Sequence, residues 1–357
     1  MNMEREMVVA PGERVPNFSL ADQDNTRRSF YHEVMGGPII LLVAADPNGE
    51  ATRHSLVLLQ GEAERLGAAG VELFAVVRGD RLAASALGRS LGLSFYLFAD
   101  PQGVVAKRHL APGMDAPEEA PSVRAIALDA NQRIVALADG GLTGESLARL
   151  ETALAEAAPR EGAPAPALVL PRVLSPEFCA ELIALWREEH HEGGFSTGQT
   201  NTYDPEKKKT LEHVITDQAL VRRLNVTLAR RISPELAKVF DFRRPFQFDA
   251  PVVMSYQPER QDFFGLHRDD LRPSNRRMFA MSLNLNDDFE GGDLVFPEYS
   301  PRGYKMPAGA ACIFACGLLH AARPVTRGQR FVLTNFFCAT EPQAAGAEGT
   351  RQRQVRL

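Results

Sequence analysis

His267-Arg-Asp269, Met278-Phe-Ala-Met-Ser-Leu-Asn-Leu-Asn286 and Gly291-Gly-Asp-Leu-Val-Phe-Pro297 make one stretch of alternating apolar and polar residues, punctuated by glycine and proline. Such alternation reads as antiparallel strands with one face buried. His267 and Asp269 are two residues apart, so on a strand their side chains point to the same side. His320 and Arg330 must then arrive from further strands. Two neutral imidazoles and one carboxylate can fill one face of a metal ion and leave the opposite face open. A guanidinium close by suits an anion. The stretch therefore marks a β unit and, within it, a candidate metal site of His267, Asp269 and His320 with Arg330 beside it.

Helices precede this unit. Ser175-Pro176 supplies an N-cap and first-turn residue for a helix with Phe178, Leu182, Leu185 and Trp186 on one face. Asp217 is placed to cap a second helix carrying Leu220, Leu224 and Leu228. Further upstream, Ala158-Pro-Arg-Glu-Gly-Ala-Pro-Ala-Pro-Ala167 resists both helix and sheet and reads as a semi-stiff linker. Before it, strand-like runs at Ile39 to Ala44, Val71 to Val77 and Tyr96 to Ala99 alternate with helical stretches, and a hairpin follows over Val123 to Leu137. Thr143 caps a last helix with Leu147, Leu150 and Leu154 on one face. Strands separated by helices predict an α/β domain with a parallel core. The domain reading is 1–157, a linker at 158–167, a second domain at 168–341 and a flexible tail at 342–357.

A chain of 357 residues can bury two separate cores. Its net charge of −5 gives no pull towards nucleic acid or an anionic membrane. No apolar run approaches the length of a membrane span, and the first fifteen residues mix acidic, basic and apolar types without a secretory pattern. A cytoplasmic protein is expected. The four cysteines, Cys179, Cys312, Cys316 and Cys338, all lie in the second half and include no C-x-x-C. Cys312 and Cys316 fall in an apolar strand-like run, which favours burial over redox chemistry.

The series Val252-Val-Met-Ser-Tyr256, His267-x-Asp269, Gly291-Gly292, Phe296-Pro297, Gly309, Phe314, His320 and Pro324-Val-Thr-Arg-Gly-Gln-Arg330 resembles the prolyl-4-hydroxylase-like branch of the Fe(II)/2-oxoglutarate-dependent dioxygenases. Val173-Leu-Ser-Pro-Glu-Phe-Cys-Ala-Glu-Leu-Ile183 is similar to that family's opening helix. The resemblance spans about half the chain, and its motif order is far more specific than an isolated H-x-D. It implies an α+β double-stranded β-helix (jelly-roll) domain. It also implies Fe(II) held by His267, Asp269 and His320, 2-oxoglutarate as co-substrate held by Arg330, and O2 as oxidant. Tyr256 matches a position whose hydroxyl assists at the co-substrate carboxylate. Thr334, at even spacing on the Arg330 strand, is a further candidate for lining that pocket. The implied reaction hydroxylates an unactivated C–H bond with release of succinate and CO2; desaturation or epoxidation uses the same ligands and stays open. A prolyl residue, an amino acid or a peptide is the implied substrate class.

The first domain resembles the peroxiredoxin-like branch of the thioredoxin fold, through Pro11-Gly-Glu-Arg-Val-Pro-Asn-Phe-Ser-Leu20, Phe98-Ala-Asp-Pro-Gln-Gly103 and Ala127-Leu-Asp-Ala-Asn131. In that family the reactive cysteine lies in the loop after the first core strand. Here the loop is Ala45-Asp-Pro-Asn-Gly-Glu-Ala-Thr52, and the whole domain lacks cysteine. Without a thiolate there is no nucleophile for peroxide. Homodimerisation is the favoured use of this domain, with a vestigial scaffold close behind. The competing readings of the whole chain are a non-enzymatic two-domain binding protein and a zinc-dependent hydrolase or isomerase; the intact set of four site residues weighs against the first and Arg330 against the second. Elsewhere, Asp270 is expected at the surface or behind the ligands, and His190-His191 as solvated cations at a helix end. Residues Gly193 to Lys209 read as a long polar loop, either flexible or covering the substrate, with Lys207 to Lys209 solvated.

Overall fold

The computed structural model describes residues 9–110, 121–158, 162–196, 201–202, 204–269 and 276–340. Asp270 and the tail at 342–357 lie outside the described residues. The chain divides into two compact units, Met1–Ala163 with Pro297–Ser300, and Pro164–Phe296 with Pro301–Leu357.

The first unit is built on β1 (Ser19–Ala21), β2 (Arg27–Ser29), β3 (Ile39–Ala44), β4 (Glu72–Arg78), β5 (Tyr96–Asp100), β6 (Val123–Leu128) and β7 (Ile134–Asp139), in the order β2-β1-β5-β4-β3-β6-β7. β3, β4 and β5 are parallel; β6 and β7 run antiparallel to their neighbours. Every residue of β3 is buried because helices cover both faces of the sheet. Ile40, Leu42 and Ala44 face a core shared with α2 (Glu50–Ala68), α3 (Arg81–Leu91) and α5 (Gly144–Glu156). Ile39, Leu41 and Val43 face the opposite core with α1 (Phe30–Glu33) and α4 (Val104–His109). The period of two along one strand thus feeds two cores. Thr143 caps α5 in a capping box with Ser146. This is the α/β, thioredoxin-like arrangement expected of the first domain.

The second unit opens with β8 (Leu168–Leu170), α6 (Pro176–Glu188), β9 (His191–Glu192), β10 (Phe195–Ser196), β11 (Asn201–Thr202), β12 (Lys208–Lys209), β13 (Leu211–Val214) and α7 (Gln218–Phe240). It continues with β14 (Phe246–Phe248), β15 (Val252–Tyr256), β16 (Phe263–His267), β17 (Arg277–Asn284), β18 (Glu290–Gly291), β19 (Leu294–Phe296), β20 (Ser300–Tyr304), β21 (Ala311–Ala315), β22 (His320–Ala322), β23 (Val325–Arg327) and β24 (Arg330–Ala339). Ser175 and Asp217 cap α6 and α7 through their side chains, and Pro176 occupies the first turn of α6. The segment read as a loop at Gly193 to Lys209 contributes three short strands instead.

The two larger sheets are one of eight strands (β8-β21-β17-β24-β15-β13-β9, with β14 also paired to β24) and one of five (β12-β16-β22-β19-β20), while β10–β11 and β18–β23 pair separately. Alternation along the central strands of the larger sheet sorts its side chains. Val253, Met281, Leu283, Phe331 and Leu333 pack on Leu182, Trp186, Leu224, Leu228 and Ile232 of the two helices. Met254, Tyr256 and Val332 point the other way, against Phe264 and Ala322 of the smaller sheet. The larger sheet therefore has a helix-covered back, while its front closes against the smaller sheet as a jelly roll.

Candidate active site

β16 and β22 pair antiparallel with His267 directly opposite His320, after a register irregularity following Phe264. Asp269 does not share the strand with His267, because β16 ends at His267. Its carboxylate arrives from the bend beyond. That bend is pinned to the turn before β22: Asp269 N–H donates to Cys316 O at 3.0 Å and Arg268 Nη1 to Gly317 O at 2.7 Å. Asp269 Oδ1 lies 3.6 Å from His267 Nε2, and Oδ2 lies 3.6 Å from His320 Nε2. One donor atom from each of the three residues falls within 4.8 Å of the others.

The donor chemistry fits a divalent metal. His267 Nδ1 sits 2.8 Å from Gly265 O and His320 Nδ1 sits 3.0 Å from Leu318 O. A carbonyl only accepts, so each Nδ1 carries the proton and each Nε2 keeps its lone pair for an ion. Burial, and next the neighbouring His320, hold the His267 imidazole well below its usual pKa, so it stays neutral and able to ligate. The rings are braced by phenyl groups, with Phe264 stacked on His267 at 3.7 Å and Phe314 edge-on to His320 at 4.6 Å. Two nitrogens and one oxygen converging within 4.8 Å of one another suit a six-coordinate ion that must keep open positions.

Arg330 begins β24 opposite Tyr256 of β15. Its guanidinium is 1% exposed and forms no ion pair among the described residues. Nε donates to Asn284 Oδ1 at 3.1 Å and Nη2 to Ser282 Oγ at 3.2 Å. Burial pulls its pKa below the usual range, opposed by the proximity of Tyr256 and Asp293. Tyr256 is buried beside it, with Arg330 Cζ 5.4 Å from the ring centroid, and among the described residues its hydroxyl meets a weak acceptor, Met254 Sδ at 3.8 Å. A desolvated cation held by two neutral acceptors suits an anion. Thr334 lies opposite Ser282 across the β17–β24 ladder and donates its hydroxyl to Val252 O at 3.4 Å. Ser282 and Asn284 hold the guanidinium. Their even spacing in Met278 to Asn286, polar among apolar residues, was the signal for them.

Other sequence candidates separate from this site. His190 stacks on Trp186, and the Nδ1 atoms of His190, His191 and His213 lie against backbone carbonyls. Cys312 is fully buried, and burial pushes its thiol up to about 12. Lys208 is not solvated: it is 4% exposed and ion-paired with Glu212.

No family model matches the chain. Over 186 residues, half of its length, the chain is 26% identical to a PKHD-type hydroxylase of Hyphomonas neptunium and spans 80% of that protein. The chain is similar to the PKHD-type hydroxylases over that stretch. Among solved structures, the viral collagen prolyl hydroxylase of Paramecium bursaria Chlorella virus 1 covers 49% of this chain over 96% of its own length, at 18% identity and a TM-score of 0.39. The peroxidoxin BcpB of Mycobacterium tuberculosis covers 41% over 94% of its length, at 16% identity and a TM-score of 0.35. No helix among the described residues is long and apolar enough to cross a membrane.

Proposed function

We propose that the second unit is an Fe(II)- and 2-oxoglutarate-dependent dioxygenase that hydroxylates an unactivated C–H bond, with release of succinate and CO2. The observation that carries this reading is the pairing of the three-donor cluster with a buried guanidinium that forms no ion pair among the described residues. Neither feature alone calls for a co-substrate; together they ask for one that chelates a metal at one end and is anionic at the other.

His267, Asp269 and His320 would hold the iron, which supplies when bound the reductive activation of O2 coupled to decarboxylation of 2-oxoglutarate. Arg330 would receive the distal carboxylate, as a planar donor suits. Tyr256 would add a hydroxyl hydrogen bond, its phenol kept protonated by burial, which drives its pKa far above the usual range. Ser282 and Asn284 would fix the guanidinium before the co-substrate arrives. Kinship to hydroxylases supports a prolyl residue, an amino acid or a peptide as substrate. The cysteine-free first unit would contribute self-association rather than peroxide chemistry.

Anaerobic titration with Fe(II) and 2-oxoglutarate is the test. The expected result is the weak visible charge-transfer band of the chelate, lost in Asp269→Ala. Folded, iron-loaded protein without that band would overturn the proposal. Succinate release against proline, other amino acids and proline-containing peptides would then identify the substrate.

A further inference from the structure

A buried charge pair beside the metal ligands has no place in this scheme. Lys208 of β12 is 4% exposed and Glu212 of β13 is 7% exposed, and the two are ion-paired. Lys208 Nζ also donates to Gly194 O at 2.8 Å, and Thr210 Oγ1 donates to Glu212 Oε1 at 3.1 Å. The cluster is tightly enclosed: a Cβ on Gly193 would stand 2.1 Å from Thr210 Oγ1 and 2.6 Å from Glu212 Oε1. Desolvating two ions cancels much of their attraction, and an apolar pair of the same volume stabilises a fold at least as well. Stability alone gives no reason for this pair.

Its position does. β12 lies against β16 with Lys208 opposite Phe264. The ammonium is 4.7 Å from the Phe264 ring centroid. That same ring is stacked on the His267 imidazole at 3.7 Å, with the planes within 13° of each other. A single hydrogen bond from Nδ1 to Gly265 O fixes the direction of one ring nitrogen but not the tilt of the plane. The stacked phenyl fixes the plane, and a desolvated cation over an aromatic face fixes the phenyl.

We propose that the Lys208–Glu212 pair is a positioning device for the metal centre: Lys208 holds Phe264 flat against His267, so that Nε2 is aimed at the ion before it binds. Glu212, braced by Thr210, keeps the ammonium in place. The inference rests on the reading of His267, Asp269 and His320 as metal ligands. It makes Lys208, Glu212 and Phe264 positioning residues that touch neither metal nor co-substrate.

The test uses the full chain and Co(II), whose visible spectrum reports the geometry of its ligands. Lys208→Met alone would strand Glu212, so the pair is removed together as K208M/E212L, and Phe264→Leu removes the stack while leaving the pair intact. Thermal unfolding of the metal-free proteins is measured beside Co(II) affinity. K208M/E212L is expected to melt within a few degrees of the parent, yet to bind Co(II) about tenfold more weakly with an altered visible band, as supporting groups around metal ligands typically do. Phe264→Leu is expected to show the same loss, and Phe264→Tyr, which keeps the ring, to restore affinity and band. Parental affinity and spectrum in both K208M/E212L and Phe264→Leu would overturn the proposal while leaving the metal site standing. Should K208M/E212L fail to fold, Phe264→Leu against Phe264→Tyr decides alone. Failure of the parent protein to bind Co(II) would overturn the metal site and this proposal together.

Discussion

His267 and His320 are direct partners across the β16–β22 ladder, their ring centroids 4.2 Å apart. Both proposed nitrogen ligands thus belong to one hydrogen-bonded strand pair, and Asp269 is tied by its backbone to the turn that leads into the second strand. The cluster is preformed by rigid elements, so an ion would find its donors already converged.

Metal removal should therefore register in stability. An ion that binds only the folded state stabilises it by about 2.7 kcal/mol at a hundredfold excess over its dissociation constant. The second unit is expected to melt several degrees higher with Fe(II) or Mn(II) under anaerobic conditions, and a chelator should reverse the shift. Scanning fluorimetry of parent and Asp269→Ala checks it; an equal metal-dependent shift in the variant would argue against the triad.

Arg330→Met should separate folding from co-substrate binding. The change relieves a desolvated charge but leaves the acceptors of Ser282 and Asn284 without a donor, at about 1–3 kcal/mol. The two effects oppose, so the ligand-free melting temperature should move little. The KM for 2-oxoglutarate should rise on the order of 100-fold, the value of charge-assisted hydrogen bonds. A large drop in stability with an unchanged KM would mean that Arg330 is structural.

Tyr256→Phe should cost about 1.5 kcal/mol of 2-oxoglutarate affinity, roughly tenfold. Among the described residues the hydroxyl meets only Met254 Sδ, so the ligand-free protein should lose almost nothing. Isothermal titration of parent and variant decides; equal affinities would remove Tyr256 from the pocket.

His109 predicts a pH dependence confined to the first unit. It is 2% exposed, and burial, with Arg108 and Arg124 nearby, lowers its pKa from 6.5 to about 4. The unfolded chain takes up a proton in this window and the folded protein does not. The stabilisation is therefore complete above about pH 6.5, declines as pH falls, and is lost by about pH 4, with a total near 3 kcal/mol. His109→Leu should flatten the stability profile of that unit between pH 4 and 6.5, as measured by denaturant titration.

How far the sequence could be read depended on whether neighbours in the chain carried the signal. The strand Ile39–Ala44 was legible to its ends because an unbroken apolar run buried on both faces resembles little else. The caps Thr143, Ser175 and Asp217 were legible because capping is local. Lys208 was misread as solvated because Glu212, Gly194 and Phe264, which account for its burial, meet it only through folding. The strands of two residues between His191 and Lys209 are too short to show a period. α7 runs through Pro234 to Phe240 because Ile232 and Leu236 extend the buried stripe past it. The three donor residues do come together, but the route by which Asp269 reaches the others was not legible: the strand stops two residues short of it, so alternation does not place the carboxylate.

Arg330, which forms no ion pair among the described residues, would have a cellular consequence if it receives an anion. A dicarboxylate settling beside it would also serve as a folding ligand, since it binds the native chain and not the unfolded one. Resistance to proteases would then rise and fall with the supply of that metabolite. Cells short of the co-substrate would not merely idle this protein; they would degrade it faster.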